Sequence, residues 1–134
     1  MSISSFYGHG GDTIFDSTSV STPVTGDAYK ITPSRSDDVV ADRFEMCFVI
    51  DHTITGSSTP TTDVTLQMSV DGTSWFDAAA FTQLTSSTLT KVEPKVPAIQ
   101  AAYVRVKKTT SGTIATYTSK VKIIANGAFR ITKV

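Results

Sequence analysis

The chain reads as all-β: an antiparallel β-sandwich, jelly-roll or immunoglobulin-like, of about seven to nine short strands behind an extended N-terminal arm. Three observations predict this class. Of 134 residues, 22 are threonine and 16 serine. Threonine's branched Cβ fits a pleated, half-wet surface, and both residue types disfavour helix interiors. Leucine occurs three times, at Leu66, Leu84 and Leu89, which leaves little from which to build the apolar stripe of an amphipathic helix. Short runs with two-residue apolar alternation are separated by Gly, Pro, Ser and Thr, the residues that turn chains. A chain of 134 residues closes one core and has no room for two. The expected division is an arm over residues 1–25 and a single sandwich over residues 26–134.

In the arm, Gly8, Gly10 and Gly11 flank His9, and residues 17–25 are almost all Ser, Thr and Val around Pro23. Such a segment buries little by itself and orders when it lies on another surface. Phe6, Tyr7, Ile14 and Phe15 are its apolar anchors. The core begins with the alternating residues 28–32, stopped by Pro33. Residues 44–50 are nearly continuously apolar, the pattern of a central strand covered on both faces. Residues 53–62, with Gly56, Ser57, Ser58 and Pro60, read as a surface loop. Val64, Leu66, Met68 and Val70 alternate with Thr65, Gln67 and Ser69, a strong two-residue period.

Asp71-Gly72 ends that strand in a turn, and Trp75-Phe76 is expected to fold back over the core. Residues 78–81 suit at most a brief helical turn. Leu89 and Val92 continue an irregular edge that Pro94 and Pro97 keep from central pairing. Ala102, Val104 and Val106 oppose Tyr103, Arg105 and Lys107, and Thr110-Ser111-Gly112 then turns the chain. Ala115, Tyr117, Val121, Ile123 and Ala125 share one parity, with Lys120 and Lys122 opposite. A final hairpin with a three-residue loop, Asn126 to Ala128, sets Ala125 against Phe129 and Ile123 against Ile131. A two-residue loop would mix apolar and polar faces, so the longer loop is expected. The two sheets should enclose Phe44, Phe48, Leu66, Met68, Trp75, Val104 and Val106.

Net charge is zero, yet residues 1–90 hold eleven acids and three bases, and residues 91–134 hold nine bases and only Glu93 as an acid. Either the two parts interleave and cancel locally, or the molecule has an acidic and a basic surface that steer assembly. The start of the chain has neither the basic head nor the apolar stretch of a signal peptide. No run approaches the roughly 20 apolar residues of a membrane span. Synthesis in a cytoplasm and no membrane partner are the corresponding expectations.

Residue chemistry points away from catalysis. Nucleophilic catalysis by Ser or Cys needs a base, and His9 and His52 lie in no recognisable catalytic motif; both are expected on the surface or in loops. Cys47 stands alone in an apolar run, as a small buried hydrophobe does. One Cys and two distant His fall short of a zinc site. Asp37, Asp38 and Asp42, flanked by Arg35 and Arg43, match no EF-hand spacing and read as a solvated turn. No enzyme activity, cofactor or metal is expected. Arg105, Lys107, Lys108, Lys120 and Lys122 would form a basic stripe on one sheet face if their strands pair. A neutral protein is a poor nucleic-acid binder, so an acidic protein surface is the simpler partner.

The segment Ser69-Val70-Asp71-Gly72-Thr73-Ser74-Trp75-Phe76-Asp77, followed by Ala102-Tyr103-Val104-Arg105-Val106, resembles a pattern in small β-sandwich proteins of tailed-phage particles. In those proteins a strand ends in an Asp-Gly turn, a Trp closes over the core, and a Tyr-Val-Arg-Val strand pairs in the sheet. The resemblance covers about residues 64–134. It implies a virion protein that decorates or cements the outside of a capsid, with the major capsid protein and copies of itself, as a trimer or other small homo-oligomer, for partners. The candidate interface joins Ile3, Phe6, Tyr7, Ile14 and Phe15 of the arm with Arg105, Lys107, Lys120 and Lys122. The alternative is a carbohydrate-binding or adhesion module of a phage tail or fibre, stacking sugars on Tyr7, Tyr103 or Tyr117. Packing of Tyr117 inward with Val121 is the competing expectation for that last residue.

Overall fold

A computed structural model describes the backbone of residues 5–8, 12–33, 46–85, 88–125 and 129–134, and the side chains of residues 12–32, 46–85, 92–124 and 130–134. The described residues form nine strands: β1 (Ser5–Gly8), β2 (Asp12–Ser17), β3 (Val24–Thr25), β4 (Tyr29–Pro33), β5 (Met46–Ser69), β6 (Phe76–Ala80), β7 (Thr88–Lys95), β8 (Tyr103–Ala125) and β9 (Phe129–Lys133). Every pairing between them is antiparallel, and none of the described residues is helical. The all-β antiparallel sandwich expected from composition is what the chain adopts.

Two long strands are the spine. β5 has 24 residues and β8 has 23, and they pair from Met46↔Ala125 to Ser69↔Tyr103. Laid straight, a strand of that length would reach roughly 80 Å. Instead its two ends meet. Gln100, just ahead of β8, accepts the Met46 N–H at 3.4 Å and donates to the Met46 carbonyl at 3.3 Å. The ribbon is therefore folded double, and one continuous sheet becomes two facing layers. The first layer is β7, the first half of β5, the second half of β8, and β2. The second is β6, the second half of β5, the first half of β8, then β3, β4, β9 and β1.

The elbow has a specific backbone chemistry. Ser58 and Thr59 take φ of 58° and 52°, and Gly112 takes 76°. A Cβ on Gly56 would lie 2.0 Å from the Thr113 carbonyl oxygen, so only glycine lets the strands cross here. Between the pairs Thr55↔Thr116 and Thr61↔Ser111, β5 advances six residues and β8 five. Two register shifts, at Thr55/Gly56 and Ser57/Thr61, leave this net offset of one residue, which flips the inward parity of β8 from Val104, Val106 and Lys108 to Tyr117, Ser119, Val121 and Ile123. Residues 53–62 and 110–112, expected as a loop and a turn, are thus the bend of two unbroken strands. Their hydroxyls bond across it, Thr55 to Thr116 and Thr61 to Ser111.

The core lies between the layers. Phe48, Ile50, Val121 and Ile123 face Val64, Leu66, Met68, Val104 and Val106 in one buried cluster, with Ile31 and Ile131 beside them. Burying each such side chain stabilises the fold by about 1.5–3 kcal/mol relative to leaving it in water. A smaller cluster of Ile54, Leu84 and Tyr117 fills the elbow end, so Tyr117 packs inward. After β6 the chain returns under it, with Leu84 and Thr62 exchanging backbone hydrogen bonds at 3.0 and 3.1 Å.

Several expectations are corrected. Trp75 lies outside the core, half-buried, because the chain after the Asp71 turn leads its ring onto the outer face of the second layer. Phe76 is 36% exposed. Residues 76–80 form strand β6 and not a helical turn, pairing back on β5 from Met68↔Phe76 to Thr65↔Ala80. β7 is a regular edge despite Pro94, which sits opposite Val49. The final hairpin does not form. Ile123 pairs with Phe48 and Asp12, while Ile131 pairs with Ile31 and Phe6. β9 has crossed to the second layer, where Ile131 still finds the core. Residues 12–17 are no loose arm either: β2 runs along β8 and buries Ile14 and Phe15. Phe44 lies outside the described residues.

Candidate functional site

With the core filled, the polar and open features of the described residues lie on two outer sheet faces, in a buried polar cluster and along a seam beside β2. The outer face of the second layer is the most organised. Across three strands run Asp77, Gln67 and Arg105, on β6, β5 and β8. Gln67 donates from Nε2 to Asp77 Oδ1 at 2.9 Å and accepts Arg105 Nε–H on Oε1 at 2.8 Å. The Arg105 guanidinium carbon sits 4.3 Å from the centre of the Trp75 ring, a cation–π stack. One strand step away, Tyr103 carries the Lys30 ammonium 5.8 Å from its ring centre. Gly72, with φ of 83°, lets the turn close on Tyr103: a Cβ there would be 3.3 Å from the ring.

The turn that delivers Trp75 is itself built by hydrogen bonds. Asp71 Oδ1 accepts the backbone N–H groups of Ser74 and Thr73, each at 2.9 Å, and the Ser69 hydroxyl at 3.0 Å. Those donors, Ser74 first, hold the Asp71 carboxyl well below the usual carboxylate range.

The outer face of the first layer is divided into two parts. Asp51, Lys120 and Asp16 share one cross-strand row, with Lys120 to Asp16 at 3.8 Å. Beside it lies an apolar patch. Paired residues share a face, which groups Cys47 with Ile124, Val49 with Pro94, and Val92 next to Asp51. Val92, Ile124 and Val96, just past β7, are 64%, 37% and 47% exposed. Cys47, expected as a buried hydrophobe, is half-buried on this outer face.

Inside, His52 is 1% exposed on the core face of β5, a correction to its expected place at the surface. It sits with Thr62, Ser119, Tyr117 and Lys108, all buried near the elbow. Lys108 donates to the Ser19 carbonyl and lies 4.3 Å over the Tyr117 ring. Burial lowers the Lys108 pKa and pushes Tyr117 up to about 12. This lysine pins the segment after β2 to the interior. Along the side of the sandwich, β2 and residues 24–29 border an open cleft of about 370 Å³, lined by residues 13–17, 24–27 and Tyr29.

The expected basic stripe is divided. Arg105 and Lys107 point out from the second layer, Lys120 and Lys122 point out from the first, and Lys108 is interior. Folding the ribbon double sends the two pairs in opposite directions. Ile14 and Phe15, expected at an interface, belong to the core. Phe6 and Tyr7 pair through their backbone with Ile131 and Arg130, and Ile3, His9, Asp37, Asp38 and Asp42 lie outside the described residues. The Gln67–Arg105–Trp75 arrangement has no motif of its own in the sequence, although Gln67 and Arg105 each sit on the polar parity of an alternating run. The only sequence signal for it was two polar positions on strands whose pairing was unknown.

No protein-family model matches the chain, and no curated protein matches it in sequence. It is similar to a chain in a solved structure of infectious bursal disease virus, Gx strain, at 13% identity and a TM-score of 0.42. The similarity covers 98% of this chain and 33% of that one, so this chain spans about a third of its length.

Proposed function

We propose that the chain is a structural protein of a tailed-phage particle, which decorates or cements the capsid through protein–protein contacts and performs no catalysis. Its partners in this reading are the major capsid protein and further copies of itself, a trimer being one such assembly. Nucleic acid and membrane play no part, and the protein, made in the host cytoplasm, resides on the virion.

The observation that carries the reading is the apolar patch of Val92, Pro94, Val96 and Ile124 on a sheet face that is otherwise hydroxyl-rich and ion-paired. A contiguous apolar area rimmed by polar groups marks a docking surface. The adjoining Asp51–Lys120–Asp16 row supplies the charges that fix register without adding much affinity. Single contacts of this size are weak, and repetition over a shell multiplies them. Burial of Tyr117, one of the aromatics a glycan-binding module would use, favours protein over sugar as the partner.

The test mixes purified protein with particles that lack it and measures co-sedimentation. Val92→Asp with Val96→Asp should weaken attachment by at least about tenfold, since charge would enter an apolar contact. The unfolding midpoint should hold, because both side chains face solvent. Attachment equal to the parent's contradicts the reading.

A further inference from the structure

We propose that Arg105 is a preorganised receptor for a carboxylate side chain of a partner protein, held open by Trp75 and Gln67 on the outer face of the second layer. This names the partner chemistry for the attachment reading above and rests on it for biological context.

Three features carry the inference. The guanidinium is fixed twice, by stacking 4.3 Å from the Trp75 ring centre and by its Nε–H to Gln67 at 2.8 Å. Gln67 is in turn fixed by Asp77 at 2.9 Å. A long side chain normally loses much rotamer freedom on binding; here that cost is already met in the free protein. Among the described residues, the two terminal nitrogens make no hydrogen bond. They are the fork that a carboxylate fills with two parallel bonds. No acid among the described residues fills it. Asp77 is taken by Gln67, and Asp63 on the same face is taken by Gln83 at 2.9 and 3.0 Å.

The surroundings select an anion and a protein. Lys30, Arg105, Lys107 and Arg130 share this outer face with Asp63 and Asp77, and the bases outnumber the acids, so its field attracts an acidic surface. The aromatic surfaces that a sugar would stack on are engaged: Arg105 lies over Trp75 and Lys30 lies over Tyr103. That leaves the charged fork, rather than a bare ring, as the recognition element.

Trp75 is the sole tryptophan, so its emission reports directly on Arg105. The whole protein is titrated with a hexaglutamate peptide, a trigalacturonate and a hexalysine peptide. Hexaglutamate should give a saturable, salt-sensitive change in emission, and Arg105→Lys should weaken it by about tenfold, since lysine cannot form the bidentate pair. In the unmodified protein, hexaglutamate should shift the Arg105 Nε–H and Trp75 indole resonances and leave those of Lys120 and Lys122 in place, a result that depends on no variant folding. No saturable response, Arg105→Lys binding like the parent, or trigalacturonate binding more tightly than hexaglutamate would each overturn the proposal. Particle attachment is a separate outcome. A protein that attaches to particles yet ignores hexaglutamate loses this site and keeps the function, whereas one that binds hexaglutamate and never attaches keeps the site and loses the function.

Discussion

Tyr117 and Lys108 illustrate how single residues set the pH behaviour of the fold. Tyr117 is buried, which raises its hydroxyl from 10.0 to about 12. Between those values the unfolded chain releases the proton and the folded chain keeps it, so stability falls as pH rises. Over that window the loss should reach about 2–3 kcal/mol. Tyr117→Phe should abolish it, and the difference between the two urea-unfolding curves from pH 9 upward checks this. Lys108 shifts the other way: burial lowers its pKa, so its ammonium is a liability that eases as pH rises toward the free value. Among the described residues its partners are the Ser19 carbonyl and the Tyr117 ring, with no carboxylate. Lys108→Met keeps the stem and removes the charge. Relief of the buried charge and loss of the bond to Ser19 oppose each other, so stability at pH 7 should change by less than about 1 kcal/mol, measured by urea unfolding.

At the scale of elements, the elbow of β5 and β8 decides whether two layers exist at all. Gly56→Ala would press a methyl group into the Thr113 carbonyl, a backbone atom that cannot move aside without breaking the ribbon. A loss of at least about 2 kcal/mol is expected, read as a lower thermal midpoint. β2 is similarly integral. Phe15→Ala empties the contact between Phe15 and Gly26, where a Cβ on the glycine would stand 2.6 Å from the ring, and should cost about 3–5 kcal/mol. Removing β2 altogether would thus unfold the sandwich instead of merely detaching an arm. Much of this was legible beforehand. The alternation of Val64, Leu66 and Met68 identified the inner face of β5, and Val104 with Val106 identified that of β8. What could not be read was the elbow, because Gly56, Ser58, Thr59 and Gly112 look like loop residues whether a strand ends there or bends. The same limit hid the site. Gln67 and Arg105 are 38 positions apart, and only the pairing register brings them together.

The whole molecule presents two unlike outer faces. One carries the Val92–Ile124 patch beside an ion-paired row, and the other the Arg105 fork among Lys30, Lys107 and Arg130. Among the described residues, the division of charge along the sequence does not separate into an acidic face and a basic face, since acids and bases lie together on both. Strands from both parts of the chain pair throughout, as Asp51 does with Lys120 and Asp63 with Thr109. In the proposed function, the two outward surfaces would bridge neighbours on a shell. The claim that they do so is tested most directly by electron microscopy of virus particles assembled with and without the chain. Added density of one small sandwich per site, seated on the outer shell through its sheet faces, is the expected result. Identical maps, or density confined to the particle interior, would contradict it.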